Sequence, residues 1–268
     1  MYENLAWFYD MYTGDLDRDR LADLLEDRFK RFGNEGLKAV ATRSFETNGL
    51  KRGTPGEENG ADISKSTLVI DVGCGTGKLT VLLSERGYDM TGLDLSPEML
   101  EIASELGYEK GEQILWLCQD MREMDTFGSY AAMYCLEDGV NHMTGEDDLG
   151  RFLSNARNFI DEGGLLIFDF LTDAYFTAAA EKGVFFEDSE EGTCIWTAEY
   201  KDRIMTYDVI CYAETEDGLF ERSEDTVTER ALEPENVKTE LIKNGFEVFE
   251  LVQAEADPGR WLVTARKA

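Results

Sequence analysis

Leu68-Val69-Ile70-Asp71-Val72-Gly73-Cys74-Gly75-Thr76-Gly77-Lys78-Leu79 is the stretch that decides the reading of this chain. Apolar, partly β-branched residues lead into three glycines at alternate positions, and an apolar helical spacing begins directly after them. That order predicts a strand, a tight turn and a helix. Glycine on such a turn lets a ligand reach backbone N–H groups with no Cβ in the way. A dinucleotide-binding turn needs G-x-G-x-x-G, but its third glycine position is Lys78 here. A P-loop needs G-x-x-x-x-G-K-[ST], but Val72 takes the first glycine position and Leu79 the hydroxyl position. What remains is D-x-G-x-G-x-G. An acidic residue ahead of the glycines disfavours a phosphate and favours a ligand carrying positive charge.

S-adenosylmethionine, with a sulfonium and an ammonium group, is such a ligand. The stretch resembles motif I of the class I S-adenosylmethionine-dependent methyltransferases, and the resemblance continues along the chain. It implies that Asp71 and the turn Gly73, Cys74, Gly75 and Gly77 surround the methionine end of the cofactor. A second strand-like run, Asp89 to Asp94, ends in the carboxylate that would accept the ribose hydroxyls, and Leu95 follows it in a D-x-S-x-x-M-L match. Gln119-Asp120-Met121 matches the adenine-contacting turn, with Asp120 receiving the amino group and Met121 beside it. Near the start, Tyr2, Leu5, Ala6, Tyr9 and Asp10 match a Y-x-x-[LF]-A-x-x-Y-D pattern of small-molecule members, in which this segment folds over the cofactor. A packing helix would show the same aromatics.

The order of elements agrees with a doubly wound sheet. Leu79, Leu82, Leu83 and Arg86 fit a helix stopped near Gly87. Ser96 suits an N-cap with Pro97 at the first helical position, and Gly107 is the expected end. Gln113 to Cys118 and Ala131 to Leu136 read as the third and fourth strands. Leu149, Phe152, Leu153, Ala156, Phe159 and Ile160 lie on one helical face, with Thr144 and Asp147 resembling a capping box and Gly163-Gly164 ending the helix. Leu165 to Phe170 is the fifth strand, and a helix from Pro234 to Asn244 precedes a final pair, Phe246 to Val252 and Trp261 to Arg266. In the family that pair is antiparallel.

Between them, Cys194/Trp196/Ala198/Tyr200 and Met205/Tyr207/Val209/Cys211 alternate with mostly polar residues, and Asp217-Gly218 is a hairpin signal. The expected fold is therefore α/β: a doubly wound, mostly parallel, seven-stranded Rossmann-like sheet with an inserted small antiparallel β-cap. Residues 1–66 would form an N-terminal helical lid and linker, and 67–172 the cofactor-binding half. Residues 173–231 would form the cap, and 232–268 the helix and strand pair completing the sheet. The cap would be a substrate lid, or else a dimerisation surface making the protein a homodimer.

A net charge of −30 repels nucleic-acid phosphate and anionic membrane, so neither is an expected partner. The five cysteines form no C-x-x-C pair and are odd in number, which indicates neither a metal site nor a disulfide framework. No apolar run approaches the roughly 18 residues of a membrane span, and the acidic start lacks a signal peptide's basic region. A cytoplasmic protein is the default.

A sulfonium is already an activated methyl donor, so in-line displacement gains chiefly from holding the acceptor in place and excluding water. A hydroxyl or ammonium acceptor also needs a base. Glu137-Asp138-Gly139-Val140-Asn141-His142 resembles the family's D-x-x-N-Y segment, with His142, the only histidine, in place of the aromatic. Its ordinary pKa suits proton transfer near neutrality, and Asp138 and Asn141 would shape the pocket beside the methyl group. The expected activity is methyl transfer to a small-molecule acceptor. The alternatives are an RNA methyltransferase, which needs a basic face, and a non-catalytic S-adenosylmethionine-binding protein with a filled acceptor pocket.

Overall fold

The computed structural model describes Ala6, Tyr9, Asp10 and residues 16–46, 67–189, 192–214, 217–254 and 257–268. Tyr2, Leu5 and the Gly/Asn-rich part of the linker lie outside the described residues. After helical Ala6, Tyr9 and Asp10, α1 (Arg18–Phe32) and α2 (Glu35–Glu46) precede β1 (Leu68–Val72), α3 (Lys78–Glu85), β2 (Asp89–Asp94), α4 (Pro97–Lys110), β3 (Leu115–Cys118) and β4 (Tyr130–Cys135). A 3-10 turn (Gly139–His142), α5 (Asp148–Phe159) and β5 (Ile160–Leu171) follow. Next come α6 (Asp173–Lys182), β6 (Val184–Asp188), β7 (Thr193–Lys201), β8 (Ile204–Glu214) and β9 (Phe220–Arg230). The chain closes with α7 (Pro234–Lys243), β10 (Phe246–Gln253) and β11 (Arg260–Lys267).

Seven strands form one sheet in the order β10-β11-β5-β4-β1-β2-β3. β1 pairs in parallel with both β2 and β4, so the strand order reverses beside β1, where doubly wound sheets open a ligand crevice at the strands' carboxyl ends. β11 runs antiparallel to β5, which brings its first residue, Arg260, opposite Leu171 at that same carboxyl edge. Alternation along β1 and β4 sends Ile70, Val72, Met133 and Cys135 to the face covered by α5 and α7. Val69, Ala132 and Tyr134 go to the face covered by α1 to α3, so both faces of the central strands are buried. α1 is tied to the end of α3 by Arg86, whose guanidinium meets Asp19 at 2.7 Å, Asp23 at 2.6 Å and Glu26 at 2.9 Å.

The remaining strands form a separate antiparallel sheet, β6-β7-β8-β9, with Asp217-Gly218 in the connection between β8 and β9. The fold is thus the expected Rossmann-like sheet with an antiparallel β-cap. The cap segment opens with α6, whose helical spacing had not stood out because Phe176 is its one buried side chain.

Four local expectations are corrected. α4 passes through Gly107 and ends at Gly111 in left-handed conformation, because Gly107 is buried on the helix face next to Trp116 and Lys110 still continues the turn. α5 begins at Asp148 rather than Thr144, and Asp148 Oδ2, not a Thr144 hydroxyl, accepts the Gly145 N–H at 3.1 Å. Gly163 and Gly164 do not end that helix. They lie inside β5, which starts at Ile160 and shifts register against β4 between Tyr130 and Ala132. Cys194 and Cys211 are disulfide-bonded: they stand opposite each other on β7 and β8, and a spacing of 17 residues across a hairpin hides that pairing. Among the described residues no helix is long and apolar enough to cross a membrane.

Candidate active site

The glycine turn wraps over the end of β2. Gly73 N–H and Cys74 N–H both donate to the Leu93 carbonyl, at 2.7 and 3.0 Å. Gly75 N–H donates to Asp94 Oδ2 at 2.8 Å and Ser96 N–H to Asp94 Oδ1 at 2.9 Å. Each carboxylate oxygen of Asp94 is thereby fixed by one backbone donor and retains a lone pair toward the cleft. Gly73 and Gly75 have φ of +75° and +53°, where a side chain is strained, and a Cβ at Gly75 would point toward the Tyr9 ring at 3.8 Å.

A cleft of about 760 Å³ opens above this turn. Of the sequence-predicted cofactor residues, Tyr9, Asp71, Gly73, Cys74, Gly75, Asp94, Leu95, Asp120 and Met121 line it. Gly77 is not among the lining residues. Its neighbours are Ala103 and Trp116, each 2.7 Å from where a Cβ would stand, so it lets the turn pack on α4 and β3. The N-terminal segment does reach the turn: Tyr9 donates to Glu137 at 3.4 Å, while Asp10 accepts from Thr76 at 2.8 Å and pairs with Lys78 at 2.9 Å.

Asp71 is 4 % exposed and accepts from the Thr80 hydroxyl at 2.5 Å. Burial pushes its carboxyl up to about 7, against the hydrogen bond from Thr80. Asp120 is the opposite case. Arg122 holds it through Nε at 2.9 Å and Nη2 at 2.5 Å, which lowers its pKa and fixes its plane at the cleft wall.

After β4 two non-glycine residues in succession, Glu137 and Asp138, adopt φ of +60° and +57°, a strain that neighbouring contacts must hold. Asp138 N–H donates to Asp169 at 2.9 Å, and Arg260 grips Asp138 at 2.8 Å, Asp169 at 2.5 Å and Asp257 at 2.9 Å. Asn141, expected at the pocket, does not line it. It is fully buried, donates to the carbonyls of Leu171 at 2.9 Å and Arg230 at 2.7 Å, and accepts the Leu171 N–H at 2.9 Å. It brackets the core sheet to the end of the cap. His142 does line the cleft, but burial pushes its pKa down to about 4, so it is uncharged at neutral pH.

Glu229, on β9, was missed by the sequence reading. It lines the cleft while 5 % exposed, and burial pushes its carboxyl well above the usual range. The available signal was its position: in a strand it shares a face with Val227, where an apolar residue is the norm. Ligand atoms of Asp138, His142 and Glu229 lie within 4.8 Å of one another, a spacing that could hold a cation. From the cap, Tyr175, Trp196, Tyr207 and Val209 complete the wall. The donor set at the other end fits S-adenosylmethionine: carboxylates of Asp71 and Asp94 for its ammonium and ribose, and a turn with no Cβ at Gly73 and Gly75.

Residues 69–164 match the family model for the methyltransferase domain. A protein of Geobacillus sp. (strain WCH70) described as a methyltransferase is 25% identical over 252 residues, 93% of this chain and 90% of its own. Glycine/sarcosine N-methyltransferase of Halorhodospira halochloris is 33% identical over 106 residues, 39% of this chain and 40% of that protein. Among solved structures, an S-adenosylmethionine-dependent methyltransferase from Clostridium acetobutylicum shares the fold with a TM-score of 0.74 at 20% identity, covering 99% of this chain and 98% of that one. An amino pentose methyltransferase from Micromonospora echinaspora superposes with a TM-score of 0.69 at 17% identity, covering 98% and 96%. With the glycine turn, the Asp94 carboxylate and the matched segment in one crevice, residues 69–164 form a methyltransferase domain, on a fold shared with S-adenosylmethionine-dependent methyltransferases.

Proposed function

We propose that this enzyme transfers the methyl group to a small-molecule acceptor held between the carboxyl edge of the sheet and the cap. One observation carries the reading: a single cleft runs without interruption from Gly75 and Asp94 to Tyr207, Val227 and Glu229 of the cap. Donor and acceptor can therefore meet in one shared cleft. The names of the glycine/sarcosine and amino pentose enzymes are in keeping with it. In this reading Asp94 accepts the ribose hydroxyls, Leu95 and Met121 flank the adenine, and Asp120 takes its amino group. Asp71 faces the methionine end. Tyr9 covers the turn, and Cys74 presents backbone only. S-adenosylmethionine supplies an activated methyl. The chain's own residues bind, orient and exclude water, with Asp138 and neutral His142 beside the acceptor.

The cap, residues 173–231, acts as acceptor lid. Replacing residues 175–230 by a short linker tests this, because cofactor binding by calorimetry and methyl transfer by mass spectrometry then separate. We expect retained binding with lost transfer to an acceptor found by screening with the intact protein. Turnover without the cap would assign it to assembly, and no transfer by the intact protein to any small molecule would overturn the reading. RNA is disfavoured as acceptor by the excess of 56 acidic over 26 basic residues.

A further inference from the structure

We propose that the acceptor is an amine entering as its ammonium ion, and that Glu229 receives its nitrogen and takes its proton, beside Asp138 and His142. The proposal rests on the methyl-transfer reading above and names the substrate class for that same cleft.

The argument is one of charge and hydrogen bonding around Glu229. Glu229 as a residue is 5 % exposed and borders the cleft, and among the described residues no side chain or backbone group donates a hydrogen bond to its carboxyl, whose oxygens open onto the cleft. A buried carboxyl left in this way is costly unless something else supplies the donor. Arg260 does not supply it: its Nη2, Nη1 and Nε are directed at Asp138, Asp169 and Asp257, and it makes no ion pair with Glu229. Three carboxyl groups hold one guanidinium with Glu229 nearby, His142 adds no charge at neutral pH, and burial raises the proton affinity of Asp138, Asp169 and Glu229, so a cation bound here would let Glu229 ionise. The cluster is short of a cation.

Possible occupants differ in what they bring. A carboxylate or phosphate acceptor would add to the negative excess. A neutral hydroxyl would bring one donor and leave the excess in place. An ammonium brings a positive charge and three N–H donors, for three acceptors converging within 4.8 Å: Glu229, Asp138 and His142. A divalent metal ion sharing Asp138 with the Arg260 guanidinium would meet it with twice the charge of an ammonium and correspondingly stronger repulsion. Tyr175 and Tyr207 line the same cleft, giving aromatic surface for the body of an amine.

The reaction balances without a further reagent. The ammonium gives one proton to the Glu229 carboxylate, whose raised affinity for a proton suits it to hold one. The freed nitrogen lone pair forms the bond to the methyl carbon, while the carbon–sulfur bond breaks and its pair returns to sulfur. A methylated ammonium and S-adenosylhomocysteine result. Glu229 is then recharged when its proton leaves to water.

The test uses the full-length protein saturated with S-adenosylhomocysteine and three matched probes, benzylamine, benzyl alcohol and benzoate, by ligand-observed NMR. We expect benzylamine to bind and the other two to bind at least tenfold more weakly, about the effect of one charge-assisted hydrogen bond. Glu229→Gln should weaken benzylamine about ten- to hundred-fold with little change for S-adenosylhomocysteine. Equal binding of benzyl alcohol or benzoate, no binding of benzylamine, or unchanged benzylamine affinity in Glu229→Gln would each overturn the proposal. So would benzylamine binding that appears only with added magnesium and vanishes with EDTA. If Glu229→Gln does not fold, the discrimination among the three probes by the unaltered protein still decides. Failure to bind S-adenosylhomocysteine would instead count against the underlying methyl-transfer reading.

Discussion

Asp94 Oδ2 accepts the Gly75 backbone N–H at 2.8 Å, so the acid at the end of β2 shapes the glycine turn as well as facing the cleft. Asp94→Ala removes the turn's anchor together with the ribose acceptor. Cofactor affinity should fall at least ten- to hundred-fold, equivalent to about 1.5–3 kcal/mol for a bond to a charged group. Calorimetry with S-adenosylhomocysteine measures this, and normal affinity would mean that the ribose lies elsewhere.

The glycines of the turn and of β2 divide into two kinds. Gly75 faces the cleft, and valine there meets only backbone strain of about 1–2 kcal/mol, so Gly75→Val should fold and fail to bind cofactor. A Cβ on Gly92 would stand 2.3 Å from the Trp116 ring, deep in the packing between β2 and β3. Gly92→Ala should therefore lower thermal stability, by about 1–3 kcal/mol or more, while folded molecules still bind. Melting curves recorded with and without S-adenosylhomocysteine separate the two, and the reverse pattern would refute the division.

Buried Asp71 links stability to pH. Its carboxyl is raised from 3.8 to about 7, so between those values the folded chain holds a proton that the unfolded chain has released. The stability this gives is full below about pH 4 and is lost as pH rises through 7. Relative to the unaltered protein, Asp71→Asn should show a flatter decline of unfolding free energy across that interval in urea titrations. Cofactor affinity should strengthen as Asp71 ionises between about pH 6 and 8, and this trend should be absent in the variant.

Asn141 makes three buried hydrogen bonds that hold the 3-10 turn, β5 and the end of β9 together. Asn141→Ala removes the bonds to the Leu171 N–H, to the Arg230 carbonyl and to the Leu171 carbonyl, which keeps the Leu232 N–H at 3.0 Å, at a cost of about 2–5 kcal/mol. Hydrogen exchange should quicken at Leu171 and around Arg230 before the central strands are affected. Unaltered stability with a selective loss of catalysis would return Asn141 to the acceptor pocket.

The Cys194–Cys211 bond ties β7 to β8 beside Trp196 and Val209, which border the cleft. Cys194→Ser with Cys211→Ser should loosen the cap, by up to about 3 kcal/mol for a loop of this size, and leave S-adenosylhomocysteine affinity unchanged. Limited proteolysis of the cap reads the first effect. Equal loss of cofactor binding would show that cap and cofactor half are not independent.

The sequence by itself determined the sheet, the glycine turn and most of the cofactor wall, because these depend on local signals. Residues 68–79 carry strand, turn and helix within one stretch, and Asp94 is marked by the end of the next strand. The cap's inward face was also legible from the alternation of Trp196, Ala198, Tyr207 and Val209. Tertiary structure alone decided what depends on elements far apart in the chain. Arg260 reaches Asp138 because β11 runs antiparallel against β5, over a separation of 122 residues that no motif spans. Glu229 meets Asp138 and His142 only when β9 folds over the carboxyl edge, and Asn141 turned from pocket residue to bracket because Leu171 and Arg230 converge on it. Gly77 matched the motif yet serves packing, since which side of the turn meets Trp116 is set by how α4 and β3 dock. Periodicity reports which face of an element is buried, whereas charge pairing and the aim of a side chain into a cleft arise from distant strands brought side by side.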